Sequence, residues 1–346
     1  LIDNATNNEY AIVVAYQDDG IQIFDIQDAL SDTAHSIYPA TNYTDGTCQI
    51  QSQGVGVCNQ PLNGAMSVAT WTNSTNSGTY AIVTGFLDDG VTTFDITDPE
   101  VGGAIYTLSN ATKAGSLGKA DDVNLASLNG GGRLLLDGAW GVATFYKGDS
   151  HNMPYAIVTG QISDGFEIFS LNNTEYAIHQ VMAANKTKAS AGFGLLDSPT
   201  GVATWNTTNT NDYAIITSNA TDSVTVINLY DHRAPTVSDT LSNSGVLALD
   251  GAMNVAVSKI GDRHYAFVSS NGTGASDQTG GQSGQQTSGG LQVIDLYDPT
   301  NIQPVTSAID EGGLFTKLAA SESVGTFFLD GHTYAAVTSY SDDSIV

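Results

Sequence analysis

Residues 80–99, YAIVTGFLDDGVTTFDITDP, contain two apolar runs joined by an Asp-Asp-Gly turn. Short runs rich in β-branched and aromatic residues, separated by Asp-Gly, are typical of a β-hairpin. The first run, Tyr80 to Val83, is continuously apolar, which indicates a strand covered on both faces. This stretch therefore predicts a buried hairpin inside an all-β protein.

The hairpin sequence recurs along the whole chain. Six copies open with a tyrosine: Tyr10, Tyr80, Tyr155, Tyr213, Tyr265 and Tyr334. In five copies an aspartate follows nine positions later: Asp19, Asp89, Asp164, Asp222 and Asp343. A third apolar run precedes the tyrosine, as in Val68-Ala69-Thr70 and Val202-Ala203-Thr204. The stretch between copies is long enough for a fourth strand. The copies lie 52 to 75 residues apart, a spacing typical of propeller blades and too long for β-helix rungs.

We therefore predict an all-β fold, a β-propeller of about six (alternatively seven) blades with three to four strands each. Residues 1–346 form a single propeller domain in this interpretation. The six tyrosines are expected at equivalent positions on equivalent strands. Trp71, Trp140, Trp205 and Phe327 lie near the ends of the first strands and are expected to fill gaps between blades.

The repeat resembles that of the LVIVD-repeat propellers, whose copies combine Gly-Val-Ala-Thr-Phe, Tyr-Ala-Ile-Val-Thr and Asp-Asp-Gly-Val-Gln-Ile-Phe-Asp-Ile. Residues 80–99 and 324–344 match this pattern best. Ser170 and Asn228 depart from it, because they stand where an aspartate ends the strand. The resemblance implies a propeller fold and an extracellular repeat protein, and it implies no particular activity.

Two segments interrupt the regular pattern. Residues 271–290 are rich in Gly, Ser and Gln and are predicted to form a flexible polar insertion. Aligning Tyr10 with Tyr334 predicts that the chain begins and ends in the middle of a repeat. Open strand edges promote association, so we expect further polypeptide or a neighbouring subunit to complete them.

The composition is strongly acidic, with 36 Asp and Glu against 10 Lys and Arg and a net charge of −26. A field of this sign disfavours nucleic acid and anionic lipid as partners. No apolar run approaches the ~20 residues that a membrane helix needs, so membrane insertion is not expected.

Nine Asn-x-Thr triplets predict N-linked glycans on exposed loops of a secreted protein. They begin at Asn4, Asn42, Asn73, Asn110, Asn172, Asn185, Asn206, Asn219 and Asn271. The two cysteines, Cys48 and Cys58, are ten residues apart and predict a local disulfide, with two free thiols as the alternative. Together these features indicate an extracellular or cell-surface location.

The turn aspartates Asp19, Asp89 and Asp343 are candidate calcium ligands, since calcium prefers carboxylate and carbonyl oxygens. An Asp-Gly turn forms equally well without a metal. We therefore expect no cofactor, with calcium as the alternative.

Motifs for nucleophilic catalysis, phosphate binding or dinucleotide binding are absent from the sequence, and the six histidines are scattered. The sequence therefore predicts a structural or adhesive module and not an enzyme, such as a subunit of a surface layer or filament. Self-association or other surface proteins are the expected partners. The alternatives are a calcium- or carbohydrate-binding propeller and a hydrolase or lyase with a central-channel site.

Overall fold

The fold was analysed in a computed structural model of the chain. The structure describes residues 10–25, 38–44, 49–50, 56–57, 62–72, 78–97, 135–147, 153–171, 179–187, 192–207, 212–244, 247–272, 289–310 and 317–346. Within these ranges the elements are β-strands, with a short 3-10 helix at Phe193–Leu195 and no α-helix. By its contacts the chain divides into two compact units, Leu1–Ala183 and Ala184–Val346.

The first unit contains three antiparallel sheets and a small hairpin. Sheet 1 consists of β1 (Tyr10–Ala15), β2 (Gly20–Asp25) and β3 (Tyr38–Thr44). The hairpin consists of β4 (Gln49–Ile50) and β5 (Gly56–Val57). Sheet 2 consists of β6 (Ala65–Thr72), β7 (Thr79–Gly85) and β8 (Gly90–Asp95). Sheet 3 consists of β9 (Ala139–Lys147), β10 (Met153–Gly160), β11 (Gly165–Ser170) and β12 (His179–Asn185), whose last residues belong to the second unit.

The second unit contains three further antiparallel sheets. Sheet 4 consists of β13 (Pro199–Asn206), β14 (Asp212–Ser218), β15 (Ser223–Asn228) and β16 (Thr236–Ser242). Sheet 5 consists of β17 (Ala252–Ile260), β18 (Arg263–Ser270), β19 (Gly290–Asp295) and β20 (Gln303–Ile309). Sheet 6 consists of β21 (Ser321–Leu329), β22 (His332–Ser339) and β23 (Ser344–Ile345).

These sheets confirm the all-β class and the propeller architecture, with strands paired in chain order. The predicted blade number is not confirmed. Among the described residues, sheets 3, 4 and 5 have four strands and sheets 1, 2 and 6 have three. Together these sheets have 21 strands, which would make up about five complete four-stranded blades instead of the six or seven predicted.

The predicted equivalence of the six tyrosines is confirmed by the strand register. Five of them pair with the residue that ends the next strand along the chain. These pairs are Tyr10 with Asp25, Tyr80 with Asp95, Tyr155 with Ser170, Tyr213 with Asn228 and Tyr265 with Asp295. Tyr334 likewise lies on the strand that precedes the turn aspartate, β22, and pairs with Phe327 on β21.

The continuously apolar second strand is buried on both faces, as the sequence predicts. In sheet 2, Tyr80 and Ile82 pack in a cluster with sheet 3, whereas Ala81 and Val83 pack in a cluster with sheet 1. Sheet 2 is thus packed between sheets 1 and 3, and the alternating residues of its β7 strand contact two neighbouring sheets.

The expected packing of Trp71 and Trp205 is confirmed. They are 7% and 5% exposed, and each stacks on the tyrosine of its sheet, Tyr80 and Tyr213, at centroid distances of 5.3 and 5.5 Å. Phe327 stacks on Tyr334 in the same way but remains 50% exposed.

The polar insertion lies within the β18–β19 hairpin. Ser270 and Gly290 are register partners at its base. Residues 273–288 lie outside the described residues, so the predicted flexibility of residues 271–290 stays a prediction.

Candidate functional site

A cavity of about 230 Å³ lies in the second unit, where the ends of several strands of sheets 4 and 5 meet. Sheet 4 contributes the end of β13, and sheet 5 contributes the β17–β18 hairpin and the residues after β19. The lining residues are Asn206, Thr207, Lys259, Asp262, His264, Leu296 and Tyr297. We call it the His264 cavity.

The hairpin places two of its polar groups side by side. Lys259 and His264 are direct register partners across the β17–β18 pair, which turns at Gly261 with φ of +62°. Side chains at such paired positions leave the same face of a sheet, with Cβ atoms about 5 Å apart. The ammonium and the imidazole therefore reach the cavity together.

This neighbourhood determines the protonation state of the imidazole. Burial lowers the pKa of His264 below its ordinary value of 6.5, and the positive charge of Lys259 lowers it further. Both effects disfavour the charged imidazolium. His264 is consequently neutral at pH 7 and has a nitrogen lone pair available to accept a proton.

An ion pair holds the aromatic wall of the cavity. The guanidinium of Arg263 contacts Asp295 Oδ2 at 2.5 Å and lies over the ring of Tyr297 at 4.6 Å from its centroid. Asp295 Oδ1 also accepts a hydrogen bond from the Tyr297 backbone N–H at 2.8 Å. These contacts hold Tyr297, a residue that is 64% exposed and lines the cavity, where its ring can pack against a ligand.

The cavity combines groups that suit a small polar ligand. It offers an ammonium, a neutral imidazole, the Asp262 carboxylate and the amide of Asn206 beside an aromatic ring. Lys259 and Arg263 are two of only 10 basic residues in a chain of net charge −26. Asp262 and Asp295 offset these two charges, so the site is close to neutral in a strongly acidic chain and suits a polarised group such as an ester carbonyl.

The sequence analysis did not select these residues. Lys259 to His264 contains a Lys, an Arg and a His within six positions of an otherwise acidic chain, and this local enrichment was the available signal. Asn206 and Tyr297 carry no such signal, because 91 positions of sequence separate them.

The structure gives two of the calcium candidates a contact between sheets. Asp19 Oδ1 accepts a hydrogen bond from the Gly64 N–H at 2.9 Å, and Asp89 Oδ1 accepts one from the Gly138 N–H at 2.8 Å. In each case the donor lies in the turn that precedes the next sheet. Asp343 has the same left-handed backbone, with φ of 48°.

No group of three or more His, Cys, Asp or Glu side chains that could hold a metal ion occurs within the described residues. Calcium at these turns stays a prediction.

Three predicted sequons have described side-chain contacts or exposure. Asn206 is exposed at the cavity rim, and Asn185 Oδ1 accepts a hydrogen bond from the Thr187 hydroxyl of its own sequon at 2.6 Å. Asn219 Nδ2, the atom a glycan would modify, contacts Met253 Sδ at 3.2 Å.

The remaining predicted sequons are less completely described. Asn271 Oδ1 is buried. Asn42 lies on β3, and its side chain is not described. The other sites lie outside the described residues: Asn4, Asn73, Asn110 and Asn172.

The predicted disulfide also lies outside the described residues. Cys48 directly precedes Gln49 and Cys58 directly follows Val57 in the sequence. Gln49 and Val57 are register partners in the β4–β5 hairpin. Pairing of the two cysteines stays a prediction.

Comparison with known proteins finds similarity in fold alone. Neither a family model nor a curated protein matches the chain. A candidate 6-phosphogluconolactonase from Bacteroides fragilis aligns with 100% of this chain and 77% of its own, at 10% identity and a TM-score of 0.51. A periplasmic gluconolactonase from Pseudomonas aeruginosa aligns with 96% of this chain and 71% of its own, at 11% identity and a TM-score of 0.52.

A functionally unknown protein from Desulfotomaculum acetoxidans aligns with 86% of this chain at 8% identity and a TM-score of 0.49. The chain spans 66% of that protein. Membership of the LVIVD-repeat family stays a prediction.

These neighbours correct one expectation. The absence of catalytic motifs led us to expect that the chain is not an enzyme, and this inference is wrong. Proteins of the same fold are named as lactonases, so the fold gives no reason to exclude catalysis. A propeller can assemble a site from residues distant in sequence, so the lack of a local motif does not exclude catalysis. The comparisons agree better with the hydrolase alternative than with a structural or adhesive module.

No helix in the described part of the chain is long and apolar enough to cross a membrane.

Proposed function

We propose that the chain is a hydrolase of propeller fold that opens a lactone or ester of a sugar acid in the His264 cavity. The observation that carries this proposal is the pairing of neutral His264 with Lys259 across the β17–β18 hairpin, beside the exposed ring of Tyr297. A general base, a cation for a developing oxyanion and an aromatic surface for a sugar ring are the groups that such a reaction requires.

Each group has a role in the proposed reaction. His264 accepts a proton from water, and the water oxygen attacks the carbonyl carbon. The ammonium of Lys259 stabilises the negative charge that develops on the carbonyl oxygen. The bond between the carbonyl carbon and the ring oxygen then breaks, and the imidazolium returns its proton to the leaving oxygen. The product is a hydroxy acid, formed by addition of one water molecule.

The remaining cavity residues bind the substrate. The Tyr297 ring packs on the apolar face of the sugar, since Arg263 and Asp295 hold it in place. Asp262 and Asn206 accept and donate hydrogen bonds to hydroxyl groups. The volume of about 230 Å³ suits a monosaccharide derivative better than an oligosaccharide.

The experiment measures acid release from glucono-1,5-lactone above the spontaneous rate. His264→Gln removes the general base, and we expect the catalysed rate to fall about a hundredfold or more. His332→Gln makes the same chemical change at an exposed histidine on β22 and is expected to leave the rate unchanged. Because Asn206 is also a sequon, protein made with and without N-glycosylation is compared.

The pH profile provides a second readout. The neutral form of His264 is active, so the rate falls as pH decreases through its lowered pKa. Lys259→Met removes the neighbouring positive charge, which raises this pKa and moves the acidic limb to higher pH. An unchanged rate in the His264 variant would contradict the proposal. Saturable binding of gluconate without any turnover would instead favour the carbohydrate-binding alternative.

We also propose a secreted location for the protein. The nine sequons, the two flanking cysteines of the β4–β5 hairpin and the acidic composition support it.

A further inference from the structure

The charged side chains at the His264 cavity nearly cancel one another. Lys259 and Asp262 line the cavity, and Asp262 lies in the turn of the β17–β18 hairpin. Arg263, the next residue, forms an ion pair with Asp295. Two cationic side chains are therefore offset by two carboxylates, and a ligand in the cavity meets little net charge.

Arg263 is already committed to contacts within the protein. Its guanidinium contacts Asp295 Oδ2 at 2.5 Å and lies 4.6 Å from the centroid of the Tyr297 ring. Turning the guanidinium toward a ligand would break both contacts and leave the Asp295 carboxylate without its cation. Arg263 is therefore not available to neutralise an anionic group on a ligand.

Lys259 is the cation among the described residues that line the cavity, and the proposed reaction uses its ammonium at the carbonyl oxygen. The lining residue Thr207 is followed by residues 208–211, Thr-Asn-Thr-Asn, which contain no Lys or Arg. Proteins bind a phosphate dianion with several cationic side chains or with a group of converging backbone N–H donors. One ammonium that is needed elsewhere does not meet this requirement.

Asp262 adds a repulsion that a phosphate would meet inside the cavity. Its side chain is exposed and lines the cavity. A sphere with the cavity volume of about 230 Å³ is about 8 Å across, which is less than the ~10 Å over which salt at 0.1 M screens a charge. The carboxylate therefore acts on an anionic group anywhere in the cavity, whereas it accepts hydrogen bonds from the hydroxyl groups of a neutral sugar.

We infer that the His264 cavity takes an uncharged sugar lactone and rejects the same lactone when it carries a phosphate, with Asp262 as the specificity-determining residue. This inference rests on the proposed hydrolysis and narrows its substrate class. The net charge of −26 acts in the same direction, because the field of the chain repels a dianion before it reaches the cavity.

The first experiment compares glucono-1,5-lactone with its 6-phosphate, each measured above its spontaneous rate of hydrolysis. We expect kcat/KM to be about tenfold or more lower for the phosphorylated lactone. Added salt is expected to raise kcat/KM for the phosphorylated lactone, since it screens the repulsion, and to leave kcat/KM for the neutral lactone nearly unchanged.

The second experiment removes the charge of Asp262. Asp262→Asn keeps a carbonyl oxygen for sugar hydroxyl groups and is expected to reduce the preference for the neutral lactone about threefold or more. Asp330→Asn is the matched control, because Asp330 is an exposed aspartate in the turn of the β21–β22 hairpin and is not a lining residue of the cavity. It removes the same charge from the chain and is expected to leave the preference unchanged.

The outcomes separate this inference from the proposed function. Hydrolysis of the phosphorylated lactone with a kcat/KM equal to that of the neutral lactone would overturn the inference and still agree with hydrolysis in the cavity. An equal preference in the Asp262 and Asp330 variants would overturn the assignment to Asp262. Catalysis of neither lactone would contradict the proposed function, and the inference would fail with it.

Discussion

At the scale of single residues, the Asp-Asp-Gly turn makes two different connections. In sheet 2, Asp88 Oδ2 accepts a hydrogen bond from the Asn63 N–H of its own sheet at 3.0 Å, whereas Asp89 reaches the Gly138 N–H before the next sheet. Asp89 adopts the left-handed conformation with φ of 53°, which Asn and Asp tolerate better than other non-glycine residues. The pair therefore links consecutive sheets as well as turning the chain.

Asp89→Ala tests the stabilising effect of this contact. The hydrogen bond is buried, so its loss leaves the Gly138 N–H without an acceptor and is expected to cost about 1–3 kcal/mol of unfolding free energy. Asp89→Asn keeps an Oδ1 acceptor and a residue suited to positive φ, and is expected to lose much less. Denaturant unfolding measures both variants. Equal stability of the alanine and asparagine variants would show that the side-chain acceptor is unimportant.

At the scale of strands, a bulge and a threonine recur in three sheets. The pairing of first and second strands shifts register near Ser67, Gly141 and Gly201. At each shift the backbone N–H donates to a threonine hydroxyl of the second strand: Thr84, Thr159 and Thr217, at 3.1, 2.8 and 2.7 Å. The hydroxyl replaces the ladder bond that the bulge removes. This explains why a threonine follows the apolar run within each of these second strands.

The β18–β19 hairpin keeps its register although it contains a longer loop than the other hairpins. Its register continues from Tyr265 with Asp295 to Ser270 with Gly290, as in the hairpins that have short turns. Gly289 and Gly290 are restricted positions, because an added Cβ would lie 2.5 Å and 2.6 Å from the backbone oxygens of Leu318 and Ala308. The base of the loop is thus tightly packed.

Replacing residues 273–288 by a short turn tests the insertion. Shortening the loop lowers the entropic cost of closing it, so the free energy of unfolding is expected to stay the same or rise by about 1 kcal/mol or less. The melting temperature is expected to stay the same or rise slightly. The variant keeps Gly289 and Gly290. Calorimetry provides the measurement, and a clear drop in melting temperature would show that the insertion packs against the rest of the molecule.

At the scale of the whole molecule, the acidic charge and the predicted glycans would act on what approaches the surface. A net charge of −26 disfavours anionic partners, whereas Lys259 and Arg263 offset Asp262 and Asp295 around His264 and make that region close to neutral. A glycan on Asn206 would stand at the rim of that cavity. Glycosylation of Asn206 would therefore restrict access of a ligand to the cavity.

Mass spectrometry of protein expressed through a glycosylating secretory pathway tests which sequons are used. We expect glycans on Asn185 and Asn206. Asn219 is expected to remain unmodified, because its Nδ2 contacts Met253 Sδ in the neighbouring sheet and addition of a sugar would separate the two sheets. Removal of the sequon by Thr221→Ala is the control for assigning peptides. A modified Asn219, or unmodified Asn at all three positions, would contradict this expectation.

The sequence alone determined the repeat, the class of fold and the register of the second strand, because hairpins depend on residues close together in the chain. The Tyr-Ala-Ile-Val strand and the Asp-Gly turn contain that information locally. The number of complete blades was misjudged, since counting copies assumes that each copy forms every strand. The third and fourth strands have weaker patterns, and only the structure shows which of them pair.

The tertiary structure alone decided which polar residues share a site and how deeply each apolar residue is buried. Asn206, His264 and Tyr297 come together only when sheets 4 and 5 pack, and their spacing in the sequence has no period that could reveal it. Tyr334 has the same sequence environment as Tyr80, yet one is 43% exposed and the other 7%. Burial depends on what packs against a strand, and a local sequence pattern contains no information about that neighbour.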